Sequence, residues 1–168
     1  TLDVILGQLP GATGGKWNLR SDEVSKNTIP VLLTGSSDQI HSVLKNFGTI
    51  EKLFFAAVML KRGRPDVSNT ILDATSVPGA FWTAYWGLRG RSYYELQQYR
   101  EAVSSFSAAV SISEDNLNAR FSRALAQMSN GHLADAESDF SMILEQHTGV
   151  AEVWAQRAMV RQSSGNLP

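Results

Sequence analysis

The segment "LPGATGGKWN" (residues 9–18) sets three glycines ahead of Lys16, the residue types of a phosphate-binding loop. Such a loop needs Gly, four residues, then Gly-Lys-Ser/Thr, so that backbone N–H groups cradle phosphates, the lysine reaches them and the hydroxyl holds magnesium. Here Gly15-Lys16 is present, but Pro10 stands where the first glycine belongs and Trp17 where the hydroxyl belongs. The segment therefore reads as a flexible Gly/Pro surface stretch, its glycines explained by backbone freedom alone. Other chemistry is equally lacking. His41, His132 and His147 are far apart in sequence, and none has a second ligand three or four residues on, the spacing that would place two donors on one helix face. With no cysteine there is neither a thiolate metal site nor a disulfide framework, which fits a reducing, cytoplasmic compartment. No Gly-x-Ser-x-Gly elbow occurs, and Glu101, Asp135 and Glu137 fall on helix surfaces where solvated charge is the default. The expectation is a chain without catalytic residues, metal or cofactor.

Trp82, Tyr85, Trp86, Tyr93 and Tyr94 form an aromatic cluster that could stack nucleic-acid bases. Helical spacing and the lack of surrounding positive charge instead point to core packing, with Tyr94 expected to be the accessible member. A net charge of −1 supplies no basic surface for nucleic acid or anionic lipid. The longest apolar run, "LFFAAVML" (residues 53–60), is far short of the roughly 20 residues that cross a bilayer. It predicts a buried helix face rather than membrane insertion. At 168 residues and 43% hydrophobic content the chain is able to bury one good core or one elongated array.

The elements that hold these residues are set by an internal period. "YREAVSSFSAAV" (99–110) lies over "LADAESDFSMIL" (133–144) at an offset of 34, pairing Ala102 with Ala136 and Phe106 with Phe140. Gly90, Ala124 and Ala158 continue the ladder. Trp86 and Trp154 stand two periods apart with Arg120 between them, as do Gly63 and Gly131, and Gly165 follows one period later. Within each unit apolar and small residues recur at three- and four-residue steps, the signature of helices with one buried face. Gly90 with Ala102, and Ala124 with Ala136, allow two antiparallel helices to approach closely while Phe106 and Phe140 fill the space between them. Gly131 and Gly165 sit where a first helix must stop in a left-handed residue. Helix pairs are predicted near 49–76, 83–112 and 117–146, with an unpaired helix from about 151 to 163. Arg89, Arg123 and Arg157 repeat at the same spacing. Their stems are expected to pack over neighbouring helices and their heads to pair with acids such as Asp139 or Glu137.

Trp86, Arg89-Gly90, Tyr93, Ala102, Phe106 and Ala109, with Ala124, Gly131, Ala136 and Phe140 and then Trp154, Ala158 and Gly165, resemble the tetratricopeptide repeat (TPR) family pattern. Glu114 and Thr148 replace the proline that commonly closes a unit, and the three arginines stand where leucine is usual. The resemblance implies an all-α, right-handed superhelical solenoid of helical hairpins with a short irregular N-terminal segment. Its units are 83–116, 117–150 and a truncated 151–168, preceded by a degenerate 49–82 with Ser68 in place of alanine. Residues 1–36 are read as irregular segment or linker. Residues 37–48 are read as a capping helix, begun by a Ser36/Gln39 capping box, stopped at Gly48, and covering the apolar flank of the first unit.

The resemblance further implies a non-enzymatic protein–protein interaction module that binds a peptide or partner helix in a concave groove. Arg91, Tyr94, Glu95, Asn118, Phe121, Leu125, Met128, Glu152, Ala155 and Met159 would line it. The alternative is the non-catalytic TPR region of a larger enzyme, such as a signalling kinase, or of a secretion or envelope-assembly machine; the start at Thr1 and the end at "SGNLP" suggest a fragment. TPR modules that grip acidic chaperone tails use Lys and Asn, then Asn, then Lys and Arg on successive first helices. This chain has Gly87 and Arg91, then Ser122, then Glu152 and Gln156. Recognition through Phe121, Leu125 and Met128 is expected instead.

Overall fold

The computed structural model describes residues 28 and 30–165. The Gly/Pro stretch at 9–18, most of the segment read as irregular and the last three residues of the truncated unit lie outside the described residues. From residue 37 onward, among the described residues, eight α-helices follow one another: α1 (Ser37–Leu44), α2 (Thr49–Lys61), α3 (Pro65–Asp73), α4 (Trp82–Glu95), α5 (Tyr99–Ile112), α6 (Leu117–Ser129), α7 (Leu133–Gln146) and α8 (Ala151–Ser163). A 3₁₀ turn at Gly79–Phe81 leads into α4. Among the described residues there is no strand, and each helix from α2 onward packs chiefly on its sequence neighbours, so the hairpins stack in a row.

Residues 30–34 are helical, a correction to the irregular segment expected there. Burial accounts for it, since Leu32 is fully buried in the cluster formed by Ile40, Leu44, Leu53, Phe55, Met59, Ile71, Leu72 and Leu88. Arg64 adds a tie by donating to the Leu33 carbonyl. It also chelates Asp66, holding that carboxyl below the usual carboxylate range. The capping box at α1 is formed: Gln39 N–H reaches Ser36 Oγ at 3.4 Å and Ser36 N–H reaches Gln39 Oε1 at 2.8 Å. Gly48 is not the stop of this helix. Its extended backbone (φ −74°, ψ 177°) makes it the N-cap of α2, and α1 ends in the turn after Leu44.

Each hairpin is closed by a three-residue turn whose middle residue is left-handed: Gly63 (φ 70°), Gln97 (φ 60°) and Gly131 (φ 82°), with Gly165 (φ 75°) one period on. Gln97 therefore fills a glycine position with a β-carbon, a strained choice for an L-residue. Gln97→Gly is expected to raise stability by about 1 kcal/mol, read as a higher denaturation midpoint; no gain would show that the turn relaxes at no cost.

Small residues govern the hairpin crossings. Ala102, Ala124 and Ala136 are fully buried beside Phe106 and Phe140. Between α3 and α4 the unusual Ser68 is also fully buried, and its hydroxyl lies 2.9 Å from that of the buried Ser92, which is 3.0 Å from the Leu88 carbonyl. Polar alanine substitutes are tolerated here because they satisfy one another.

Candidate functional site

Helices α4 and α6 are the first helices of successive hairpins. They meet at both ends. At the N-terminal end Thr83 and Ala84 of α4, with Ser113, Asp115, Asn116, Leu117 and Asn118 at the start of α6, line an open cleft of about 500 Å³. At the C-terminal end the Tyr94 hydroxyl lies 3.4 Å from Ser129 Oγ. The two helices therefore run side by side in the same direction. Local sequence explains the placement: Asn116 caps α6 by accepting from Ala119 N–H at 3.0 Å, and the left-handed residues at 97 and 131 end both first helices at equivalent places.

Between those ends Phe121, Leu125 and Met128 recur at four- and three-residue steps along α6. All three are half-buried and pack against the cluster that holds Ala124, Phe140, Ile143, Leu144, Val153 and Val160. Phe121 meets Phe140 edge to face, ring centres 5.7 Å apart. Arg91 and Glu95 are exposed and paired with each other at 3.2 Å. Tyr94 is half-buried against Tyr99, and Asn118 is exposed at the cleft. On α8, which packs chiefly on α7, Glu152, Ala155 and Met159 are exposed, Met159 by 52%. The α6 strip and its two ends thus come together, while the α8 residues stand apart.

The repeating arginines are tethered as their spacing suggested. Arg123 binds Asp139 through two hydrogen bonds of 2.6 and 2.7 Å. Arg157 approaches Glu137 at 3.9 Å, and Arg161 holds that carboxylate at 2.6 Å. Arg89 pairs instead with Asp73 at 2.8 Å and lies over the rings of Tyr85 and Tyr93. With their charges answered locally, these residues stiffen the stack and present no row of anion-binding sites.

Within the cluster of Trp82, Tyr85, Trp86, Tyr93 and Tyr94, Trp82 rather than Tyr94 is the accessible member, 48% exposed where core packing was expected. It is the first residue of α4, beyond the helical segment that the hairpin crossing covers, and the Pro78-Gly79 break shortly before it was the available signal. The cleft residues Thr83, Ser113 and Asn116 were also missed; the Asp115-Asn116 pair just before an apolar period was their sequence mark. All three histidines are exposed, and among the described residues no group of His, Asp or Glu is placed to hold a metal ion. No helix among them is long and apolar enough to cross a membrane.

Residues 90–131 match the family described as TPR repeat. Among solved structures the chain is similar to a MamA mutant, with a TM-score of 0.61 and 18% identity over 84% of this chain and 86% of that one. It is similar to MamA AMB-1 at the same score and identity, over 84% of this chain and 80% of the other. At that identity the likeness is one of fold. No curated protein matches the chain in sequence.

Proposed function

We propose that this chain, a tetratricopeptide repeat protein, is a protein-interaction scaffold that takes an extended peptide or a partner helix along the face shared by α4 and α6, with α8 extending it. The supporting observation is the apolar strip Phe121, Leu125 and Met128, half-buried at its base and flanked by polar groups at both ends. A ligand lying along it would bury apolar side chains on the strip, with the adaptable thioether of Met128 following its shape. Asn118 at one end and Tyr94 at the other offer hydrogen bonds to the ligand backbone, and Arg91 offers a carboxylate contact in exchange for Glu95. In this reading residues 49–168 form the repeat array and 37–48 cap it, supported by the burial of Ile40 and Leu44 against the first hairpin.

Apolar burial as the main source of affinity has a measurable consequence. For a peptide selected on the purified chain by display, Phe121→Ala is expected to weaken binding by about 2 kcal/mol, while raising salt from low to moderate changes it little. Because Phe121 also touches Phe140, the melt of the variant is measured alongside and binding compared well below it. Steep salt dependence with an indifferent Phe121→Ala would reject the apolar strip and move the contact to Arg91 and the basic turn at Lys61–Arg64.

A further inference from the structure

Helix α8 leaves open a flank that the two preceding hairpins cover. On α4 the flank carries Trp86 and Gly90, on α6 Arg120 and Ala124, and one period on, on α8, Trp154 and Ala158. Gly90, Arg120 and Ala124 are buried beneath the second helix of their hairpin, whereas Ala158 is exposed and Trp154 is 49% exposed. The indole is nevertheless fixed, its N–H donating to the Thr148 carbonyl at 2.9 Å. Helix α8 buries Val153 and Val160 against α7. At about 100° per residue, Trp154 and Ala158 fall on one side of that buried line, and Glu152 and Met159 of the peptide face fall on the other.

The molecule covers this flank twice with the same kind of helix. Opposite Gly90 stands the ring of Phe106, 2.7 Å from the place of a β-carbon, and Ala124 packs in one cluster with Phe140. Ala102 and Ala136 precede those rings by one turn, and Trp86 packs on Ala109 and Val110, the next turn after Phe106. Charge is matched as well. Arg123 Nε donates at 2.7 Å to Asp139, the residue before Phe140, whereas Arg89 faces a covering helix with Ser105 at that place and pairs with Asp73 at 2.8 Å instead. Arg157, their counterpart on α8, has neither: Glu137 stands 3.9 Å away and is held by Arg161 at 2.6 Å. Arg157 Nε is buried without a hydrogen-bond acceptor among the described residues. The flank thus calls for an antiparallel helix with a small residue, an acid one turn later and an aromatic residue next to it. Within residues 1–168 an acid directly precedes an aromatic residue only at Asp139-Phe140. That pair is committed to α6, so neither another segment of these residues nor a second copy of them supplies the helix.

We propose that the open flank of α8 is a docking site for one helix of a partner protein, lying antiparallel to α8 and carrying the sequence small–x–x–acid–aromatic. The docked helix continues the row of hairpin interfaces. Its ring packs on Ala158, short aliphatic residues one turn beyond the ring cover Trp154, and its carboxylate accepts from Arg157 Nε, a charge-assisted bond at a site already shielded from water. The flank is separate from the α6 strip, so a helix and a peptide are able to bind together.

The test uses the chain labelled with ¹⁵N and, as probe, a peptide with the sequence of residues 98–113 carrying Ser105→Asp, held helical by a hydrocarbon staple on its solvent side. This probe presents the small residue, the acid, the ring and the aliphatic pair in order. It is expected to shift the indole N–H signal of Trp154, and the same peptide with Phe106→Ala to leave that signal in place. The peptide with its native serine should bind about tenfold more weakly, and Arg157→Met in the chain should erase that difference. Ala158→Leu fills an exposed position, so the fold of the chain is not at stake, and it should weaken binding about tenfold or more. Phe121→Ala should leave binding unchanged, separating this site from the strip. A Trp154 signal unmoved by the probe, or Ala158→Leu binding as tightly as the parent, would overturn the proposal. Equal affinity for the aspartate and serine peptides would do the same. So would sedimentation showing that the chain alone is a dimer which Ala158→Leu dissociates, since the occupant is then a second copy.

Discussion

Replacing Asp139 with alanine is expected to lower the stability of the chain by about 3–5 kcal/mol, the loss typical when one partner of a buried ion pair is removed. The side chain of Asp139 is 5% exposed, and two arginines converge on it. Arg123 grips both carboxylate oxygens, and Arg120 Nη1 lies 3.4 Å from one of them. The arginine side chains are 19% and 9% exposed, so neither is able to recover much hydration when the carboxylate goes. Arg120 would keep its bond to the Glu114 carbonyl at 3.0 Å but no counter-charge. Chemical denaturation of parent and variant measures the loss. Removing Arg123 as well, as Asp139→Ala with Arg123→Met, should return part of it, because one stranded charge leaves and apolar packing stays. A loss below about 1 kcal/mol in the single variant would mean that the pair behaves as a surface contact and that α6 and α7 admit water between them. Glu137 supplies the contrast within the same helix: it is 25% exposed, its short contact is to Arg161, 40% exposed, and the less exposed Arg157 stands off at 3.9 Å, so truncating Glu137 should cost less than truncating Asp139, about 1 kcal/mol.

The same cluster shows why the array was legible in the sequence and its side-chain partners only partly so. Ala102/Phe106 and Ala136/Phe140 repeat because each hairpin crossing needs a small residue opposite a ring, a demand that leaves the same residue types one period apart. Asp139 and Glu137 were recoverable as arginine partners because they lie on the helix beside Arg123 and Arg157. Asp73 was not. It reaches Arg89 from the preceding hairpin, whereas Arg123 turns to the following helix, and the residues one period from Asp73 and Asp139 are Ser107 and Ser105. The period repeats backbone positions, while charges are placed unit by unit. Turn chemistry failed for a similar reason at Gln97, where the hairpin dictates a left-handed residue that the local sequence does not advertise. At Trp82 helical periodicity identified an apolar residue but not the loop that leaves it uncovered. For the α4–α6 face, the strip Phe121, Leu125 and Met128 could be read from its spacing, but the cleft at Asn116 and the Tyr94–Ser129 contact arise from how neighbouring hairpins abut.

Gly90→Leu is expected to cost about 4 kcal/mol or more, beyond the 1–3 kcal/mol usual for overpacking. A β-carbon on Gly90 would stand 2.7 Å from Cδ1 and Cε1 of Phe106 and 3.0 Å from its Cγ. Three atoms of one rigid ring are met at once, and the ring is itself buried with Ala102 and Ala126, so no small rotation relieves the contact. Helices α4 and α5 must then separate. The equivalent crossing of α6 on α7 already carries a methyl group at Ala124 beside the fully buried Phe140, whereas at Gly90 the Phe106 ring occupies the place that a methyl group would take. Gly90→Ala is accordingly a balance. Helix propensity favours alanine by about 1 kcal/mol, the displaced ring costs more, and a small net loss is expected. Phe106→Leu should rescue Gly90→Ala in a double-variant cycle by removing the ring that the methyl group meets. Functional coupling follows from position: Arg91 is the next residue and Tyr94 one turn on, so moving α4 away from α5 shifts the α4 edge of the proposed peptide face. Peptide affinity for the α4–α6 face should fall with Gly90→Ala at temperatures where the variant is fully folded, and recover in the double variant. Stability and affinity both unchanged in Gly90→Leu would show that α4 and α5 are spaced more widely than a ring-to-backbone contact requires.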